Sequence, residues 1–143
     1  MLDALPVSAD SICLEITETA AISGHDEARA VLERVRARGC RIAIDDFGSG
    51  VQNFSRLRDL PVDVLKLDGS YVRNVVANPK DQALVRAAVQ LAQAFNAETV
   101  AEYVETEEAA QCLREIGVDW FQGHLFAEAR PLSEVIEELR RYR

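Results

Sequence analysis

The chain has 143 residues, 48% of them hydrophobic and 28% charged, with a formal net charge of −8. That length suits one domain with one core, and that composition excludes a disordered chain. No long basic run occurs, which argues against binding of a nucleic-acid polymer, since phosphate neutralisation needs clustered Lys and Arg. An anionic ligand would need a metal or a local cation. The three cysteines, Cys13, Cys40 and Cys112, are odd in number and widely spaced, which fits neither a disulfide framework nor a zinc site and points to reduced thiols in the cytoplasm. No basic, apolar leader opens the sequence, and no window approaches a membrane span of about 20 apolar residues.

Ser11 to Thr17 reads as a strand, with Ile12, Leu14 and Ile16 alternating with Cys13 and Glu15. His25 to Arg38 reads as a helix, with Ala28, Val31, Leu32 and Val35 at helical spacing and Gly39 as its stop. Arg41 to Asp45 is a second strand, ended by the turn Phe47-Gly48-Ser49-Gly50, and a short helix is expected near Asn53 to Asp59 before Pro61. Val62 to Leu67 is a third strand. Pro79 opens a strong helix through Ala94. Thr99 to Glu102 is a fourth strand, and Thr106 is placed to cap a helix over Glu107 to Ile116 that Gly117 stops. Trp120 to Gln122 forms a fifth strand. Ser133 to Arg141 is a last helix, with Ser133 as its candidate cap. Strands each followed by a helix imply an α/β fold with a parallel sheet, because parallel neighbours need helical crossovers.

The polar residues fall at one place in that scheme. Glu15 lies near the end of the first strand, Asp45 and Asp46 end the second, Lys66 and Asp68 close the third, Glu102 the fourth and Gln122 the fifth. In parallel α/β folds the carboxyl ends of the strands share one rim, where sites are built. Lys66 lies within the apolar run Val64-Leu65-Lys66-Leu67, so it is expected to meet a carboxylate or a phosphate. Glu15, Asp45, Asp46 and Glu102 offer hard oxygen ligands suited to Mg²⁺ or Mn²⁺. Clustered carboxylates without histidine suggest a two-cation site, with metals roughly 3.5–4 Å apart, for phosphodiester chemistry. Other roles stay open. Asp46 could cap the turn before Gly48, Glu105 could begin the next helix, and Asp68 could serve only as a salt-bridge partner of Lys66.

Leu14-Glu15-Ile16-Thr17-Glu18, Asp45-Asp46-Phe47-Gly48-Ser49-Gly50, Leu60 to Asp68, Ala101-Glu102-Tyr103-Val104-Glu105-Thr106 and Gln122-Gly123-His124-Leu125-Phe126 together resemble, in order and spacing, the motifs of bacterial EAL domains. The resemblance implies a modified (β/α)₈ barrel that hydrolyses cyclic di-GMP to pGpG with divalent cations. It covers residues 1–143 as a single partial domain, the family's fourth to eighth βα units. It makes Glu15, Asp45, Asp46 and Glu102 metal ligands, with Glu102 also counted in the catalytic set. It places Lys66 on the attacking water or the phosphate, Asp68 in the same polar site, and Gln122, Glu18 and Glu105 as substrate-ordering or supporting residues.

The sequence also departs from the family. The first three units, the Glu-Ala-Leu tripeptide and the next strand's Asn do not occur in it, which removes two expected ligands. Tyr103 stands where the family has Gly, His124 replaces an aromatic Tyr, and Glu128 stands near a usually basic position. An incomplete TIM-type (β/α)₈ barrel of about five βα units has two open sheet edges, so self-association, or pairing with a missing N-terminal half, is expected. Turnover of cyclic di-GMP by this chain alone is expected to be weak or absent. A degenerate binding or protein-interaction module is the alternative.

Overall fold

The computed structural model describes residues 8–23, 25–48 and 58–141. After a 3₁₀ turn at Ala9–Ser11 come β1 (Cys13–Thr17), α1 (Glu18–Ser23), α2 (His25–Arg36), β2 (Arg41–Phe47) and β3 (Val64–Leu67). Then follow α3 (Gly69–Val72), α4 (Pro79–Ala94), β4 (Glu98–Ala101), α5 (Glu107–Ile116), β5 (Trp120–Phe121) and α6 (Leu132–Arg141). The five strands form one parallel sheet in the order β1-β2-β3-β4-β5.

Local chemistry explains the element ends. Asn78 precedes Pro79 and caps α4 by accepting from the Lys80 N–H at 3.0 Å. The Thr106 hydroxyl accepts from the Ala109 N–H at 3.2 Å, and α5 stops at Gly117, whose φ of 100° is open to glycine at no steric cost. Two short helices, α1 and α3, were not anticipated. Each starts from a side-chain acceptor on the residue before it: Thr17 Oγ1 takes the Ala20 N–H, and Asp68 Oδ1 takes the Ser70 N–H. Ser133 is the second residue of α6 rather than its cap. The helix expected near Asn53 to Asp59 falls largely outside the described residues.

Period-two alternation sorts the sheet into two faces. Ile42, Ile44, Leu65, Leu67 and Ala101 point to the helices, where they meet Leu32, Val85, Val89, Ala92 and Leu113 in one buried cluster. The opposite parity carries Glu15, Ala43, Asp45, Val64, Lys66 and Val100. β3 is buried along its whole length, whereas both edges are open: Leu14 and Glu15 on β1 and Trp120 on β5 are exposed.

One irregularity positions the polar rim. Ile44 pairs with Leu65 but Phe47 with Leu67, so β2 carries one extra residue between them. This bulge contains Asp45 and Asp46, and Asp46 adopts φ 54°. Regular pleating would send consecutive side chains to opposite faces. The extra residue instead leaves both carboxylates at the rim while Phe47 returns to the core at 3% exposure. Asp is among the few non-glycine residues that tolerate this backbone region.

Candidate metal centre at the carboxyl rim

Lys66 is the hub of the rim. Its Nζ donates to Glu15 Oε2 at 2.8 Å and lies 2.9 Å from Glu102 Oε1 and 3.0 Å from Asp45 Oδ1. Those partners come from β1, from the end of β4 and from the β2 bulge, so one ammonium ties three strands together. Its side chain is 8% exposed. Burial alone would push the Lys66 ammonium down, but the surrounding carboxylates of Glu15, Glu102 and Asp45 outweigh it and hold the group above the ordinary lysine value.

One ammonium does not satisfy this rim. Oxygens of Asp45, Asp46 and Glu102 come within 4.8 Å of one another. Asp45 Oδ1 is buried and meets Lys66 as a charge, without an aligned hydrogen bond. Like charges that close repel, and an all-oxygen donor set with an unsatisfied buried oxygen fits a hard divalent cation. Glu15 is not one of that trio; it reaches the others through Lys66.

The supporting residues divide. Glu18 is buried, and its Oε2 accepts from the Gly48 N–H at 2.9 Å, while the Tyr71 hydroxyl donates to the Gly48 carbonyl. These two contacts hold the chain directly after the Asp45-Asp46 bulge. Asp68 caps α3 through Ser70 and makes no ion pair with Lys66, because its carboxylate is turned to its own helix. Glu105 and Gln122 line a cavity of about 350 Å³ beside Glu102, together with His124 and Glu128. That cavity's floor requires Gly123. A Cβ there would lie 2.2 Å from the Val104 carbonyl oxygen, and the Val104 N–H bonds the Gln122 carbonyl at 3.0 Å.

Tyr103 follows Glu102 with φ 55°, a conformation that costs a non-glycine residue roughly 1–2 kcal/mol. Its ring lies over Gly69, where a Cβ would come within 2.2 Å of Cδ2, and the Arg73 guanidinium stacks 4.2 Å from the ring centroid.

Sequence reasoning passed over two carboxylates, at the other end of the sheet. Asp63 Oδ2 accepts from the Ile42 N–H at 2.9 Å, and Asp119 Oδ2 accepts from both the Thr99 N–H and its hydroxyl at 2.7 Å. The available signal was an Asp directly before each of β3 and β5.

Residues 1–129 match the family described as EAL domain. The chain is 37% identical over 133 residues to the cyclic di-GMP phosphodiesterase PdeF of Escherichia coli, covering 93% of this chain and 18% of PdeF. Among solved structures, the EAL domain of Mycobacterium smegmatis DcpA superposes with a TM-score of 0.85 at 42% identity, over 97% of this chain and 61% of that one. Klebsiella pneumoniae BlrP1, solved with cyclic di-GMP and manganese, gives 0.80 at 36% identity over 85% of this chain and 31% of BlrP1, and its calcium complex gives 0.78 at the same identity over 83% and 30%. The chain thus spans under a fifth of PdeF and about three-fifths of the DcpA domain. The likeness confirms the parallel α/β sheet as part of a TIM-type barrel.

Proposed function

Since the chain belongs to the EAL domain family, we propose that it forms the carboxyl-terminal portion of a cyclic di-GMP phosphodiesterase domain and carries most of that domain's metal-binding rim. The observation that carries this reading is a charge mismatch. Glu15, Asp45 and Glu102 share one ammonium, Lys66, Asp45 Oδ1 is left short of a hydrogen bond, and the Asp46 carboxylate lies close to those of Asp45 and Glu102. Asp45, Asp46 and Glu102 would hold a divalent cation, with Glu15 beside them, and Mg²⁺ or Mn²⁺ suits such donors. A cation bound there supplies Lewis-acid stabilisation to the phosphodiester oxygens.

The chain's own residues do the rest. Lys66, kept charged by its three carboxylates, would contribute a fixed positive charge near the attacking water rather than a free set of donors. Glu18 and Tyr71 fix the backbone after the bulge, so that Asp45 and Asp46 hold their places. Glu105 and Gln122 line the cavity into which the dinucleotide would extend. Asp68 acts on the site through α3, whose start it caps.

The open strands β1 and β5 support association, either with a second copy or with the remaining part of a barrel. Among the described residues, no helix is long and apolar enough to cross a membrane. A binding module without turnover is the second reading; Tyr103, a bulky residue lining the same cavity as Glu102, favours it. Incubation with cyclic di-GMP and Mn²⁺, followed by detection of pGpG, tests both. Weak turnover lost in Asp45→Asn supports the enzyme portion. Saturable binding without turnover supports the module, and neither binding nor turnover removes both.

A further inference from the structure

We propose that Arg73, held on the ring of Tyr103, is an anion-binding group that takes a phosphate of the dinucleotide at this rim, and that Tyr103 is its positioning residue. This rests on the phosphodiesterase reading above.

Arg73 directly follows α3 and Tyr103 directly follows Glu102, so the pair spans the rim from β3 to β4. The guanidinium lies 4.2 Å from the ring centroid. Stacking through its flat face leaves the in-plane N–H groups free to donate, and that fork matches the oxygens of a phosphate. No carboxylate pairs with Arg73 among the described residues, so its charge is not engaged by an acid of this chain. Lys66, the other cation described at this rim, is buried and already meets three carboxylates. A phosphate approaching a chain of net charge −8 therefore finds in Arg73 an exposed positive charge seated on the side chain that follows Glu102.

Two features that otherwise lack a reason serve this arrangement. Tyr103 holds φ 55° although glycine would relieve the strain, and its ring stays 50% exposed, so burial does not explain its presence. Gly69 leaves the space the ring needs, since any Cβ there would collide with it. Together they set the ring in one place, and the ring sets Arg73.

The test is calorimetric titration of the full chain with cyclic di-GMP in calcium, the cation present in one of the BlrP1 complexes. Arg73→Gln is expected to weaken binding about tenfold and to flatten its salt dependence, as loss of a charge-assisted phosphate contact should. Tyr103→Gly is expected to weaken binding while leaving the melting temperature equal or higher, and Tyr103→Phe to keep the parent affinity. A merely structural ring would move stability and binding together. Parent-like affinity in Arg73→Gln, or tighter binding in Tyr103→Gly, overturns the proposal and leaves the phosphodiesterase reading standing. Failure of the parent itself to bind the dinucleotide overturns both.

Discussion

The two ends of the sheet both carry carboxylates, and they use them differently. At the amino ends of the strands, Asp63 accepts from the Ile42 N–H and pairs with Arg36, Asp119 is saturated by Thr99, and Glu98 pairs with Arg41. Each acid there closes a hydrogen-bond account of the backbone or meets a cation of its own. At the carboxyl ends, Glu15, Asp45 and Glu102 share one Lys66 among the described residues, and Asp45 Oδ1 has no aligned donor. An acid that satisfies a neighbouring strand's N–H marks architecture, whereas an excess of acids over cations marks a place for something else to bind.

Substitutions at the two ends sharpen this contrast, beginning with the hub. Lys66→Met removes the shared counter-ion of three carboxylates and is expected to cost about 2–4 kcal/mol, less than a fully buried pair would because Glu15 is half exposed. Urea melts with and without Mn²⁺ check it, and the metal should recover part of the loss. Asp119→Ala strips the acceptor from the buried Thr99 N–H and hydroxyl, for about 1–3 kcal/mol in the same melts. Unlike Lys66→Met, it should leave the Mn²⁺ response unchanged. Glu18→Ala frees the Gly48 N–H after the bulge, costs roughly 1–2 kcal/mol, and should weaken Mn²⁺ binding by loosening Asp45 and Asp46. The smallest effect belongs to Arg41→Met. Its ion pair with Glu98 is well exposed on both sides, so a loss of about 0–1 kcal/mol is expected, with no change in metal affinity.

Much of this was legible in the sequence, for identifiable reasons. The helix at Glu107–Ile116 and its Thr106 cap stand as read, because capping and amphipathic spacing are local. Pro79 marked the start of α4, although its cap is Asn78. The rim was legible because each strand's apolar run breaks off in a polar side chain. The cost of burying a lone ammonium announced that Lys66 would meet a carboxylate or a phosphate, but not that the partners would be Glu15, Asp45 and Glu102 from three strands. What escaped was of two kinds. The short helices α1 and α3 rest on single side-chain acceptors, Thr17 and Asp68, and carry too few residues for a period to show. The bulge at Asp45-Asp46 depends on register against β3, which no single strand reveals, though two acids between the core residues Ile44 and Phe47 were its trace. Asp68, which the resemblance placed in the same polar site, caps α3 through the Ser70 N–H, a contact that no spacing in the strand announced.

The central claim is that the carboxyl rim binds a divalent cation through Asp45, Asp46 and Glu102. Titration of the chain with Mn²⁺, followed by the loss of the free-ion electron paramagnetic resonance signal, addresses it without any need for turnover. Saturable binding that disappears in Asp45→Asn and persists in Asp119→Ala is the predicted result. Equal binding by the parent and Asp45→Asn, or none by the parent, would contradict it.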